Sequence, residues 1–376
     1  MLYSLCTSGD LVFLTVPLPL KDEKDNLVKQ AYTELVDRLI RENLTLLHEK
    51  IFGTLACAPS LLAQRDQVFA EKNFTSPIVP TYVEGTPAQE AKLVGIHAIA
   101  VRSSSQYPLT PLWADGQVGG YLFQGEEAEY LHLSDVGRLK SPFPVCQEEE
   151  ACATLQMAEQ MLHEQSWSWR DVCRTWFYLD NILQWYEEFN RARIDSFLRA
   201  GVDPRDPDQI IPASTGIMGK NRRGNACTLD LLAMHPAANR PFHVQRLFNP
   251  RQNEAPEYGS AFSRGLAVTV SSCQYVFVSG TASIDEKGRC VHVGDVDRQI
   301  RRTLENVQAL IHPTGAGLHD VVQSTVFIKH SAHLAPYYRI APEYGINPDS
   351  SLCMVADVCR DDLLFEIDAT AVVKSV

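Results

Sequence analysis

An order of strand, helix and strand recurs along this chain of 376 residues, and it restricts the possible folds more than any single motif does. In the last third, residues 275–280 read as a strand and a polar turn follows around Asp285 to Gly288. A helix then begins near Asp297, with Gln299, Thr303, Asn306, Val307 and Leu310 at helical spacing. Beyond Gly315 and Gly317, residues 318–328 start another strand. The middle third repeats this at a constant offset. A helix from Glu148 carries Leu155, Met157, Ala158, Met161 and Leu162, and residues 169–178 match the strand at 318–327. The first third is a weaker copy: a strand at residues 11–16, then a helix from about Asn26 through Gln30, Leu35, Leu39 and Leu46, with no evident return strand. Alternating helical and strand periods predict an α+β class, with helices packed on one face of mixed β-sheets. Proline-rich or polar stretches near residues 76–87, 219–225 and 249–256 suggest units of 1–90, 91–225 and 226–376.

The closing residues bear the sharpest chemical question. Leu352 to Cys359 and Leu363 to Val373 are apolar runs separated by Arg360-Asp361-Asp362, and together they read as a β-hairpin. On the second run Leu363, Phe365, Ile367, Ala369, Ala371 and Val373 share one face, and Glu366, Asp368 and Thr370 the other. That second face is either solvent-facing or a site.

Composition removes several classes of function. A net charge of −12 without any basic run argues against nucleic acid or an anionic membrane as partner, while leaving room for a small anion in a locally basic pocket. No Lys or Arg precedes the first apolar stretch, a poor match to a signal peptide, and no run is long enough to span a bilayer. Ten scattered cysteines form no CxxC pair and no His pair has ligand spacing, so free thiols in the cytoplasm and no metal are expected. GxGxxG, P-loop, GxSxG and HExxH patterns are all missing, which disfavours nucleotide cofactors and serine-hydrolase chemistry. No cofactor is expected.

Three further segments bear on binding. Arg174 sits in an apolar, aromatic strand, on one face with Trp176 and Tyr178; such a guanidinium snorkels to solvent or meets a carboxylate. The run Ser279-Gly280-Thr281-Ala282-Ser283 is a strand end whose small residues permit close backbone approach to a ligand, or simply a turn. Ser214-Thr215-Gly216 offers hydroxyl and amide donors in a loop.

These segments carry a resemblance. The last unit is similar to the YjgF/Rid superfamily, small trimeric proteins with a chorismate-mutase-like fold, through Val278-Ser279-Gly280, Gln299, Asn306, Asp320-Val321-Val322, Thr325-Val326-Phe327 and Cys353 to Glu366-Ile367. Rid deaminases hold the substrate carboxylate with an Arg two residues before that Cys; here the position is Ser351, which speaks against deaminase activity. From about residue 95 onward the chain resembles the chorismatases, through Arg174 to Tyr178, Trp185 to Asn190 and on to Arg193, Ala213 to Gly216, Tyr258 to Arg264, Ser279 to Ser283, Ala356 to Arg360 and Leu364-Phe365-Glu366. The resemblance implies Glu366 as proton donor and Cys359 as the side chain that helps decide the product, with Cys tending to 3-hydroxybenzoate. It implies chorismate contacts at Arg174, Tyr178, Thr215, Gly216, Arg264, Gly280, Thr281, Ala282 and Cys353. It implies a cofactor-free chorismate lyase releasing pyruvate, with hydrolysis to a dihydroxy-cyclohexadiene acid or plain metabolite binding as alternatives. It also implies a monomer that is a pseudo-trimer in one chain, with the site between the second and third units.

Overall fold

The structure, a computed structural model, describes residues 3–5, 9–17, 27–76, 78–88, 93–114, 116–137 and 146–374. The first stretch runs β1 (Tyr3–Leu5), β2 (Leu11–Pro17), α1 (Leu27–Arg41), β3 (Thr45–Gly53), α2 (Ala58–Glu71), β4 (Thr81–Glu84), β5 (Thr86–Pro87) and β6 (Leu93–Val101). The second comprises β7 (Leu109–Ala114), β8 (Gln117–Gln124), β9 (Ala128–Val136), α3 (Gln147–Glu164), β10 (Val172–Leu179), α4 (Tyr186–Arg199), β11 (Ala213–Met218) and β12 (Cys227–Pro236). The third contains β13 (His243–Leu247), β14 (Gly265–Thr269), β15 (Cys273–Ala282), α5 (Val296–Ile311), β16 (Val321–Ile328), α6 (Leu334–Ile340), β17 (Ser351–Val355) and β18 (Phe365–Lys374).

Three mixed sheets result, and each has the same four-strand heart: β2-β6-β3-β4, β9-β12-β10-β11 and β15-β18-β16-β17. In each, the last strand inserts beside the first, and the two strands joined by the second helix run parallel, as a helical crossover requires. The α+β class is therefore as expected. Helix α5 shows why the sequence folds locally: Asp295 caps it by accepting from the Arg298 amide, and Ile300, Leu304, Val307 and Leu310 form one buried stripe. That stripe packs on Phe365, Ile367, Ala369 and Ala371 of β18.

Four expectations need correction. Runs 352–359 and 363–373 are not a hairpin: β17 pairs in parallel with β16, and β18 lies between β15 and β16. Leu46 belongs to β3, the return strand that periodicity did not reveal, while Asn26 lies outside the described residues. The expected junction at 90/91 also lies outside them, but β6 beyond it belongs to the first sheet. Likewise β12, beyond the expected junction at 225/226, pairs with β9 and β10 in the second sheet. Of the two readings left open for the face bearing Glu366, Asp368 and Thr370, solvent exposure is excluded: all three are buried.

What buries that face is the other two sheets. Each return strand carries a register shift early in its course, and His48, Arg174 and Gln323 stand at the same place after it. These residues, with Lys50, Trp176 and Thr325 two positions on and His97 and Asp368 on the last strands, line a chamber of about 350 Å³ reached by all three sheets. Its ion pairs cross between sheets: Lys50 to Asp230 at 3.4 Å, and Arg174 to Asp368 at 3.0 Å. Among the described residues no helix is long and apolar enough to cross a membrane.

Candidate active site

A second cavity, of about 510 Å³, opens where the second sheet meets the third. Glu366 forms its floor, opposite Ala282 in the register of β15 and beside Phe327 of β16. Between Val278 and Thr281 the register of β15 shifts, and this irregularity brings Gly280 against the carboxyl. A Cβ at Gly280 would lie 2.3 Å from Glu366 Oε1, so a side chain there would displace the carboxyl from this place. Glu366 is 5% exposed, and none of the described residues donates a hydrogen bond to its carboxyl. Burial, and next the Asp368 charge, push that carboxyl up to about 8, against weaker pulls from Arg264 and Arg174. Near neutral pH it therefore holds a proton.

Three guanidinium groups face this acid. Arg193, on α4, is fully buried and meets only neutral groups, donating from Nη1 to Ser214 Oγ (3.2 Å) and from Nη2 to Asn190 Oδ1 (2.6 Å), while its Nε has no partner. Arg264, just before β14, donates to the Asn253 carbonyl from Nε (2.8 Å) and Nη2 (2.6 Å). Arg360, in the loop after β17, donates to the Gly288 carbonyl at 2.8 Å. None of the three forms an ion pair with a described residue. A fully buried cation with no carboxylate beside it, as Arg193 is, is costly unless a ligand supplies the negative charge. Tyr258 stands between Arg264 and Arg360, each 5.4 Å from its ring centre, and Phe262, Ile284 and Leu363 make the apolar wall. Burial, followed by the neighbouring Glu366, pushes the Cys359 thiol up to about 12, so it stands in the cavity as a neutral thiol. The arrangement suits a small, multiply charged anion with an apolar body, held against one protonated acid.

The chain is similar to known proteins in sequence and in fold. Residues 253–373 match the family model described as endoribonuclease L-PSP. A 3-hydroxybenzoate synthase of Streptomyces hygroscopicus is 28% identical over 235 residues, 56% of this chain and 65% of that protein. A chorismatase of Streptomyces rapamycinicus is 28% identical over 222 residues, 52% of this chain and 63% of that protein. A crystal structure of a chorismatase superposes with a TM-score of 0.65 at 17% identity, covering 98% of this chain and 100% of the other, and so shares the fold. This chain is similar to the chorismatases and has their fold. Its matched region spans less than two thirds of either Streptomyces protein.

Against this relationship, the expected site residues divide. Glu366, Cys359, Gly216, Arg264, Gly280 and Ala282 line one cavity, as a binding role requires. Thr215 lies just behind it, with its hydroxyl bonded to Asp368. Four residues lie elsewhere. Arg174 lines the other chamber, because Asp368 and Thr215 already take its Nη2 donors. Tyr178 packs edge-on to Phe52 of the first sheet. Thr281 turns its hydroxyl back to the Ser279 carbonyl, and Cys353 packs into the α5–α6 core. Sequence reasoning placed Arg193, Arg360, Tyr186, Tyr258 and Phe262 within the motifs of the resemblance but gave none of them a role in the site. For Arg193 a signal existed: it falls on the buried stripe of α4 with Phe189, Asn190, Ser196 and Phe197, where an unpaired charge is out of place.

Proposed function

We propose that this chain is a chorismate lyase that releases pyruvate and 3-hydroxybenzoate, with Glu366 as the general acid. The observation that carries the reading is a carboxylic acid held protonated, facing buried arginines that lack carboxylate partners. Chorismate is a dianion, so Arg193 with Arg264 or Arg360 would neutralise its two carboxylates, while the apolar wall takes the ring. Glu366 would protonate the methylene carbon of the enolpyruvyl ether, which makes the side chain an electrophile and a better leaving group. The ring hydroxyl oxygen then bonds to the ring carbon that bears the ether, as the ether C–O bond to that carbon breaks with its electron pair leaving on the pyruvate oxygen; the hydroxyl oxygen's original C–O bond breaks in turn, so one oxygen stays on the ring. Glu366, now a carboxylate, recovers a proton as the ring loses one and aromatises. Reactant and products balance without water or an oxidant.

The neutral thiol of Cys359 at the cavity wall and the likeness to a protein named 3-hydroxybenzoate synthase favour aromatisation over hydrolysis. The three sheets of one strand order further support a chain acting as a monomer, a pseudo-trimer within itself. The test is incubation of purified protein with chorismate, with pyruvate and the aromatic product quantified. Equimolar pyruvate and 3-hydroxybenzoate are expected. No pyruvate, or full rate in Glu366→Gln, sinks the reading; the dihydroxy acid would replace it with hydrolysis.

A further inference from the structure

The chamber behind Glu366 is lined by Lys50, Arg174 and Asp368, with Arg174 paired to Asp368 and Lys50 to Asp230 beside the chamber, so its charge is already balanced and it invites no ion of either sign. Its relation to the catalytic acid is more telling. Asp368 lies two residues from Glu366 on the same face of β18. Arg174 Nη2 donates to Asp368 Oδ2 at 3.0 Å and to Thr215 Oγ1 at 2.6 Å, and the Thr215 hydroxyl donates to the same Asp368 oxygen at 2.9 Å. The Thr325 amide donates to the other oxygen at 3.2 Å. Asp368 is thus fixed from β10, β11 and β16 at once, while the next residue of β11, Gly216, lines the substrate cavity.

We propose that Arg174 is a positioning residue and not a substrate ligand: with Asp368 and Thr215 it forms a rigid charge pair behind Glu366 that sets the place and the protonation state of the catalytic carboxyl. This rests on the general-acid reading above. The charged and titratable groups around Glu366 are Asp368 on its own strand, Arg174 on β10, Arg264 before β14 and Cys359 and Arg360 in the loop after β17, with Tyr186 and Arg193 of α4 and Tyr258 across the cavity. Lys50, from β3, stands 4.1 Å over the Trp176 ring and feels both Asp368 and Arg174, which extends the pair into the first sheet. Removing the Asp368 charge leaves a cation facing Glu366, so the carboxyl ionises more readily. Removing Arg174 as well cancels most of that change.

The experiment compares native protein, Asp368→Asn, Arg174→Gln and the double variant in two readouts. One is the pH–rate profile with chorismate. The other is infrared titration of the Glu366 carboxylic acid band, referenced to Glu366→Gln, which needs no turnover. We expect Asp368→Asn to lower the titration by about one pH unit and the double variant to recover most of it. KM in Arg174→Gln should rise less than about tenfold, against a far larger rise in Arg193→Met. An unmoved titration in Asp368→Asn, or a KM in Arg174→Gln raised as much as in Arg193→Met, overturns the proposal. Should a single variant fail to fold, the double variant, which leaves neither charge unpaired, decides it: near-native KM supports a positioning role and a hundredfold rise refutes it. If chorismate is not consumed at all, the general-acid reading fails, yet the infrared shift still tests the charge pair.

Discussion

Arg65 and Arg193 are each the eighth residue of a 14-residue helix at the same place in its sheet's topology, yet they meet opposite surroundings. Arg65 is matched by Glu49: its Nε donates at 2.9 and 3.1 Å to the two carboxylate oxygens, and Tyr32 also donates to Glu49 at 2.7 Å. Arg193 has Thr175 at the corresponding strand position, one residue after the register shift. There the Thr175 hydroxyl donates to Ser214 Oγ, which in turn accepts from Arg193. One guanidinium is thus neutralised inside the protein, and the other is left for something that arrives. A binding cleft here differs from a packed one by a withheld carboxylate, not by an added group.

The largest effect should come from removing each arginine. Arg193→Met is expected to lower kcat/KM for chorismate by about a thousandfold without loss of stability, since no buried carboxylate is left behind. Arg65→Met should do the reverse, costing ~3–5 kcal/mol in denaturant unfolding because Glu49 is stranded, while the folded fraction turns over almost normally. Equal losses of stability in both variants would break the comparison. Next, Glu366→Gln should lower kcat by about a hundredfold or more with KM little changed.

The same variant has a stability signature. A carboxyl raised to about 8 in the fold contributes stability that is complete below its unfolded pKa and is lost as pH rises through about 8. Glu366→Gln should therefore melt higher than native protein at pH 9 and not at pH 5, measured by calorimetry. An intermediate effect is expected from Thr175→Glu, which rebuilds in the second sheet the pair present in the first: chorismate affinity should fall by about thirtyfold as the new carboxylate competes for Arg193. The smallest change should be in Cys359→Ser, where total pyruvate release stays within a few-fold and the ratio of aromatic to dihydroxy product moves, read by chromatography.

Much of the fold was legible because α3, α5, β10 and β16 each show one clean period. Strand β3 was not, since His48, Glu49 and Lys50 interrupt its apolar run; they are buried because partners on other sheets and helices compensate them, which local sequence cannot reveal. Strands β6 and β12 were assigned past a boundary for a related reason: each inserts into the middle of a sheet begun tens of residues earlier, and no turn chemistry announces that. The apparent hairpin at the end failed likewise, because β18 finds both neighbours, β15 and β16, before β17 in the chain. Glu366 was recognisable through its motif and Arg174 through its odd company, but the partner of Arg174 lies 194 residues away. Distance along the chain hid its role.

The cross-sheet pairs of the central chamber carry a further consequence for how the molecule tolerates change. In an assembly of identical subunits every substitution is written three times around the axis, so an unpaired arginine or a strained acid would be multiplied with it. Here Lys50 meets Asp230, Arg174 meets Asp368, and the corresponding third place is taken by uncharged Gln323 and Thr325. Each sheet therefore recognises a different neighbour, and any alteration is felt at a single seam. One seam can hold a destabilising, reactive arrangement while the other two are free to act as its frame.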